Sequence, residues 1–206
     1  ACAAAFARTP EEPLAEGNVG AGCGATVGKL LGGGRAMKAG LGICGLALGE
    51  LAVVAVVAVN ALGNVRDEDG AWIAGCRDEG HVMDPLAAFG AMAAAAAAGD
   101  GTAPAAGGPC ANTTIGVVLT NARLTKAQAT KTASTVHDAY ARAIKPVHTL
   151  NDGDTVFAFA SGEVEALPDA VSVLACEAMQ GAIVRAVCQA EGACGLPAAR
   201  DLVAGR

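Results

Sequence analysis

The sequence predicts an α/β fold, and three observations lead to that prediction. Residues 51–60 form an apolar, valine-rich run, which is typical of a strand covered on both faces. After Thr113 the apolar pattern gives the order strand, helix, strand, helix. Aromatic residues make up only 3% of the 206 residues, so the core must be built from small side chains that let layers of sheet and helix approach closely.

The first half of the chain divides into four kinds of segment. Residues 17–45 are dense in glycine and predict a loop with close backbone approaches, followed by short strands. The strand at 51–60 leads to a turn whose tip is predicted at 67–70. Residues 85–108 are of low complexity: the alanine-rich first half predicts a helix, and the part at about 99–111 predicts a flexible, exposed linker.

The second half carries clearer signals for where elements begin and end. Thr125 and Gln128 have the spacing of a capping box that opens a helix, and Pro146 prevents that helix from continuing. The predicted elements are a strand at 113–120, a helix from 125 to about 144, a strand at 155–160 and a helix from 168 to about 192.

Composition and charge exclude several classes of function. The formal net charge is −6 and the 14 basic residues are scattered, so no phosphate-binding surface and no nucleic-acid partner are predicted. The apolar run at 51–59 is too short to span a bilayer, so no membrane is predicted either. The eight cysteines contain no CxxC pair, and several lie in apolar or glycine-rich stretches, which favours a reducing, cytoplasmic location.

The glycine-rich stretch does not match the nucleotide-binding motifs. A phosphate-binding Walker loop would need glycine where Cys23 stands and serine or threonine where Leu30 stands, and the dinucleotide motif fits only with Ala25 as its third glycine. The histidines lack metal-ligand spacing, and we expect His137, on the predicted helix, to be satisfied or exposed to solvent. The sequence therefore predicts no cofactor and no metal.

The junction of Asn112 and Thr113 lies where the linker meets a strand. A hydroxyl at the start of a strand is positioned to attack the preceding carbonyl and cut the chain. The freed α-amino group, with a reference pKa of about 7.7, would then serve as the base for the same hydroxyl. By itself such a junction is common, and an ordinary linker explains it equally well.

Asp152-Gly153-Asp154 forms a glycine turn just before the strand at 155–160. Two carboxylates in such a turn could hold an ammonium and a hydroxyl in reacting geometry. Asp152 and Asp154 follow Thr113 by 39 and 41 residues, a spacing that lets a strand, a helix and a return loop bring the turn back beside the start of the first strand. Aspartate and glycine also favour solvated turns, which on these residues alone is the better explanation.

Ten separate blocks of the sequence carry a resemblance to one family. They are 16–22, 24–29, 58–61 and 63–65 upstream, and 112–118, 124–128, 137–138, 141–144, 146–149 and 152–158 downstream. In this order they resemble the DmpA-type aminopeptidases, a family that includes L-aminopeptidase/D-esterases, β-peptidyl aminopeptidases and nylon-oligomer hydrolases. The Asp-Gly-Asp turn is most similar to the nylon-oligomer hydrolases.

The resemblance implies an αββα layered sandwich, of the type shared with ornithine acetyltransferases. It implies a precursor cut between Asn112 and Thr113 into subunits 1–112 and 113–206, which stay together as one domain and assemble into homo-oligomers. The activity implied is that of an aminopeptidase or amidohydrolase acting on short peptides or ω-amino-acid amides. The implied catalytic residues are Thr113 as nucleophile, Asp152 and Asp154 as the supporting pair, Asn60 as oxyanion donor and Lys29 as a stabiliser of developing charge.

One departure from the family pattern leaves alternatives open. The family's N-terminal segment, which includes an active-site tyrosine, has no counterpart here, and residues 1–7 have the composition of the second half of a helix without its cap. We therefore expect the chain to begin inside an element and the fold to be incomplete at its N-terminus. A non-catalytic remnant and a related acyltransferase remain as alternative functions; the Asp-Gly-Asp turn favours the hydrolase over the transferase.

Overall fold

The computed structural model describes residues 14–98 and 112–203 and confirms the α/β fold. Short 3-10 turns lie at Gly20–Gly22 and Gly33–Arg35. The strands are β1 (Thr26–Val27), β2 (Met37–Lys38), β3 (Leu41–Leu48), β4 (Leu51–Ala58), β5 (Asn64–Arg66), β6 (Trp72–Ala74), β7 (Arg77–Asp78), β8 (His81–Val82), β9 (Ile115–Ala122), β10 (Ile144–Lys145) and β11 (Thr155–Val164). The helices are α1 (Pro85–Ala97), α2 (Lys126–Ala143), α3 (Pro168–Cys188) and α4 (Ala199–Val203).

The main sheet has four strands in the order β11-β9-β4-β3. Strands β3 and β4 form an antiparallel hairpin, β9 pairs antiparallel with β4, and β11 pairs parallel with β9 through the connection that contains α2. Smaller sheets are formed by β10-β5-β6, β1-β2 and β7-β8. The parallel pairing of β9 and β11 places their first residues side by side, with Thr155 opposite Ile115.

Helices α2 and α3 pack against one face of the main sheet. The prediction that the strand at 51–60 is covered on both faces is wrong for the described residues. Every second residue of β4 is buried, including Val53, Ala55 and Val57, whereas the residues between them are only partly buried, because the helices cover one face of the sheet. Close packing depends on small residues: a Cβ at Gly42 of β3 would collide with the backbone of α3 at Ala182. The small side chains therefore let the helix and the sheet lie close together.

Local signals set most helix boundaries. Thr125 and Gln128 form the capping box at the start of α2, and the side chain of Asp84 caps α1. Helix α3 ends at Cys188, four residues before the predicted end. The guanidinium of Arg200 donates hydrogen bonds to the carbonyls of Cys188 and Gln189, which satisfies the last turn from a distant part of the chain.

Helix α3 is long and apolar enough, by length and composition, to cross a membrane, and within the described part of the chain it is the one helix of which this holds. Half of its apolar window is buried within the protein, against α2, β3 and β4. This is the behaviour of a core helix in a layered fold.

The opposite face of the main sheet is apolar and exposed. Phe157 and Phe159 of β11 are 50% and 59% exposed, and Ile115 and Leu119 of β9 are 46% and 44% exposed. The described residues therefore supply the helical layer and the main sheet of the αββα arrangement, but not a layer that covers this second face. The linker predicted at about 99–111 and the residues before 14 lie outside the described part of the chain.

Candidate active site

Thr113 lies just before β9, at the edge where β4 ends and β9 begins. Its backbone N–H donates to the carbonyl of Asn60 at 2.9 Å, which ties the junction to the residue that follows β4. Its hydroxyl donates to the carbonyl oxygen of Asn112 at 2.7 Å. The hydroxyl therefore lies against the peptide group that it would have to attack.

The Asn112 carbonyl receives a second donor from the Asp-Gly-Asp turn. Asn112 and Asp152 form a parallel bridge, and the Gly153 N–H donates to the Asn112 oxygen at 2.9 Å. A backbone N–H aimed at a carbonyl stabilises the negative charge that develops there during nucleophilic attack. A Cβ at position 153 would stand 2.8 Å from the Thr113 hydroxyl oxygen, so glycine gives that hydroxyl its room.

The Asp154 carboxylate is held on both oxygens and its side chain is only 2% exposed. One oxygen accepts from the Thr114 N–H at 2.9 Å. The other lies 2.9 Å from the imidazole Nδ1 of His148, within ion-pair distance, and faces the His148 N–H at 3.4 Å. Asp154 is thus fixed beside the residue that follows the candidate nucleophile.

The Asp152 carboxylate closes its own turn. One oxygen accepts from the N–H of Thr149 at 3.0 Å and from its hydroxyl at 2.8 Å. The other oxygen faces the N–H of Leu62 at 3.4 Å. These contacts link the Asp-Gly-Asp turn to the segment that follows Asn60.

Lys29 and Asn60 form one side of the cluster. The Lys29 ammonium donates to the Asn60 side-chain oxygen at 2.8 Å and to its backbone carbonyl at 3.3 Å. The same side-chain oxygen accepts from the N–H of Thr26 at 3.2 Å, which fixes the orientation of the amide. Burial lowers the pKa of Lys29 to about 8, although the nearby charge of Asp152 opposes that shift.

The structure thus brings together all five residues that the sequence singled out for the site. Asn60 contacts both Thr113 and Lys29. The charge of Asp152 acts on the pKa of Lys29. Asp154 contacts Thr114, the neighbour of Thr113. Their catalytic roles remain predictions. No group of three or more His, Cys, Asp or Glu side chains able to hold a metal occurs in the described ranges.

Sequence reasoning missed two contributors to this cluster. The Gly153 N–H carries no side-chain signal and can be recognised only once the turn is placed. His148 lies in the block 146–149 of the resemblance, but the sequence assigns it no role. The expectation that His137 is satisfied or exposed to solvent is confirmed, since its Nδ1 lies 3.3 Å from Nε2 of His148, whose ring contacts Asp154. The signal available in the sequence was the position of His148, four residues before Asp152.

Buried polar atoms without partners concentrate at the junction. Asn112 and Thr114 are completely buried, and both polar side-chain atoms of Asn112 and the hydroxyl of Thr114 lack hydrogen-bond partners among the described residues. An unsatisfied buried group costs roughly 1–3 kcal/mol.

Solved structures of two enzymes share this fold. A β-aminopeptidase of Burkholderia sp. aligns with a TM-score of 0.62 and 21% identity, over 93% of this chain and 53% of its own. The L-aminopeptidase D-Ala-esterase/amidase from Ochrobactrum anthropi, described as a variant of the Ntn-hydrolase fold, aligns with a TM-score of 0.60 and 17% identity, over 98% of this chain and 55% of its own. The fold is thus the DmpA-type variant of the N-terminal-nucleophile hydrolase fold.

The sequence comparisons define the family. The model of peptidase family S58 matches residues 1–199, so the chain belongs to peptidase family S58. Uncharacterized aminopeptidases of Mycobacterium leprae and Mycobacterium tuberculosis are 34% and 36% identical over 222 residues. A 6-aminohexanoate-oligomer endohydrolase of Agromyces sp. is 31% identical over 150 residues, which cover 73% of this chain and 41% of the relative.

The resemblance to DmpA-type enzymes is therefore confirmed. The alignments cover 96% and 100% of this chain but 56% and 60% of the two mycobacterial relatives. The chain thus spans less than two thirds of the length of these relatives.

Proposed function

We propose that this chain carries the nucleophile of a self-processing amidohydrolase that cuts between Asn112 and Thr113. The observation that carries this proposal is the geometry of the junction. The Thr113 hydroxyl and the Gly153 N–H both donate to the Asn112 carbonyl, at 2.7 and 2.9 Å. Membership of a peptidase family supports the interpretation of this geometry as that of a reacting peptide bond.

In the proposed cleavage the Thr113 oxygen adds to the Asn112 carbonyl carbon. The Gly153 N–H stabilises the resulting oxyanion, and the Asn112–Thr113 bond breaks as the Thr113 nitrogen takes up the proton that the hydroxyl releases. Water then hydrolyses the ester that links Asn112 to the Thr113 oxygen. The products are a carboxylate at Asn112 and a free amine and hydroxyl at Thr113.

In the proposed turnover the new α-amine is the base for the Thr113 hydroxyl. Its reference pKa of about 7.7 lets it accept a proton near neutral pH. Asp154 and Asp152 position this pair through the contacts that they already make around Thr114 and Thr149. The Asn60 amide supports the oxyanion, and Lys29, whose pKa is lowered to about 8, stabilises developing charge.

The main sheet supports association of the two proposed subunits after cleavage. Strand β4 lies before the junction and β9 after it, yet they pair over six residue positions. Helix α3, from the second subunit, packs on β3 and β4 of the first. Separation would expose this shared core, so the cleaved chain is expected to remain one folded unit, from which a homo-oligomer could assemble.

The proposed substrates are short peptides or ω-amino-acid amides. Its relatives include uncharacterized aminopeptidases and 6-aminohexanoate-oligomer endohydrolases, and both activities cleave an amide bond. The Asp152-Gly153-Asp154 turn favours the second kind of substrate by its resemblance to the nylon-oligomer hydrolases. A non-catalytic remnant is the second candidate, favoured by the exposed apolar face of the main sheet.

One experiment separates the two candidates. The intact mass of the purified chain is measured alongside hydrolysis of a 6-aminohexanoate oligomer and of a short peptide. The hydrolase predicts two fragments that meet at Asn112 and Thr113 together with turnover of at least one substrate. The remnant predicts a folded, uncut chain without turnover.

A further inference from the structure

The Asp154 carboxylate is bonded on its outer side by a histidine that no step above uses. We propose that His148 is a positioning residue, held by His137, that keeps Asp154 in its working orientation. The inference rests on the proposed function, since it assigns His148 a role in the same reaction. Its basis is a continuous set of contacts from the half-exposed His137 to the buried Asp154.

The positions of the two rings indicate their tautomers when both are neutral. Nδ1 of His148 lies 2.9 Å from the Asp154 carboxylate, which favours the tautomer with its proton on Nδ1. Its Nε2 is then an acceptor, so Nδ1 of His137, 3.3 Å away, must be the donor to it. With this tautomer the His148 ring presents its N–H to Asp154 while His137 contacts its other nitrogen.

The surroundings hold the His148 ring in place. His148 has a φ of 55°, a left-handed conformation that non-glycine residues adopt at a cost and that is enriched at functional sites. Its ring stacks on Tyr140 of α2, with ring centres 6.0 Å apart and planes 23° apart. The fold thus maintains an unfavourable backbone conformation to keep this ring against Asp154.

Four charged or titratable groups surround His148. Asp154 faces it from the turn before β11, and His137 and Tyr140 face it from α2, with Asp138 beside His137. Burial and the neighbouring His148 lower the pKa of His137, which favours its neutral form. Burial raises the pKa of Tyr140, which keeps the phenol neutral. Asp154 is therefore the acidic group that the His148 ring contacts directly.

Two substitutions of His148 distinguish the loss of its imidazole ring from the loss of its hydrogen-bond donor. His148→Gly removes the ring and accepts the left-handed backbone without strain. His148→Asn places an amide N–H where Nδ1 stands and also tolerates that backbone, but it cannot be protonated. His81→Asn, at an exposed histidine on β8, is the control. The readouts are the rate of chain cleavage, kcat and KM across pH, with thermal melting to verify folding.

We expect His148→Gly to lower kcat and the cleavage rate by roughly 10- to 100-fold, the size of effect seen when a group that orients a reactive ligand is removed. KM should change little. His148→Asn should restore most of this loss, because its amide N–H can take the place of the ring N–H beside Asp154. In an Asp154→Asn background His148→Gly should have little further effect, since its target is absent.

The outcomes distinguish this inference from the proposed function. A wild-type chain that is cut and active, with His148→Gly equally fast, overturns the positioning role and leaves the function standing. The role is also overturned if His148→Asn is as impaired as His148→Gly, or if the effects of the Asp154 and His148 variants multiply. A wild-type chain that neither cuts nor turns over overturns the proposed function, and the positioning role with it.

Discussion

Gly153→Ala is predicted to slow cleavage at Thr113 while leaving the fold intact. The added Cβ would stand 2.8 Å from the Thr113 hydroxyl oxygen, and its next neighbours are the other Thr113 side-chain carbons at 3.7 and 3.8 Å. Of these three atoms only the hydroxyl oxygen is closer than van der Waals contact, so it is the group that has to move. The Gly153 N–H is kept in the variant, so its bond to the Asn112 carbonyl is not removed directly.

The size of the effect follows from the displacement. Carbon and oxygen in contact prefer about 3.3–3.6 Å, so the hydroxyl must shift by at least about 0.5 Å or rotate away from the Asn112 carbonyl. A misplacement of about 1 Å in a reacting group costs on the order of 100-fold in rate. We therefore expect cleavage to slow by roughly 10- to 100-fold. Position 153 is exposed, so no core packing is lost.

The assay is the time course of chain cleavage after refolding, followed by mass spectrometry. Gly24→Ala is the matched control, because a Cβ at position 24 meets nothing within 4 Å and the glycine is not in the left-handed region. The control should cut at the wild-type rate and Gly153→Ala should not. Equal rates for all three proteins would refute the argument that the Thr113 hydroxyl must occupy this position.

Three further predictions follow from the same geometry. Asp152→Ala and Asp154→Ala should each reduce turnover by about 10²–10⁴-fold in a steady-state assay, the usual cost of losing an oriented catalytic group; a loss below threefold would contradict their assignment. Lys29 has a pKa lowered to about 8 by burial, so folding releases its proton, and the stability of wild type relative to Lys29→Met should rise by up to about 3 kcal/mol between pH 8 and 10.5 in denaturant titrations. A parallel pH dependence in the two proteins would contradict this. Activity should survive treatment with a chelator, and loss of activity that zinc restores would show that a metal is required.

The parts of the fold that local chemistry controls could be predicted from the sequence. The strand β4 follows from its run of valines and α2 begins at the capping box of Thr125 and Gln128, and both are present in the structure. The burial of only one face of β4 could not be predicted, because the run is apolar at nearly every position. The end of α3 could not be predicted, because Arg200, in the next helix and outside the local stop signals of α3, binds its last carbonyls. Its end depends on tertiary structure rather than on a local stop signal.

In the candidate site, too, some features could be predicted from the sequence and others depend on tertiary contacts. The spacing of Asp152 and Asp154 after Thr113 predicted that the turn returns beside the first strand, and the bridge between Asn112 and Asp152 lies there. The contact between His148 and Asp154 could not be predicted, since it depends on how the loop before β11 packs on α2. The Gly153 N–H was missed because a backbone donor has no signature in residue type.

The intact mass of the purified chain tests the central claim most directly. Wild type should give two species, one ending at Asn112 and the other beginning at Thr113, that elute together under native conditions. Thr113→Ser, which keeps a hydroxyl, should also give two species, and Thr113→Ala should give one uncut chain. A wild type that remains whole under conditions in which it is folded, or a Thr113→Ala variant that is cut at the same bond, would contradict the account.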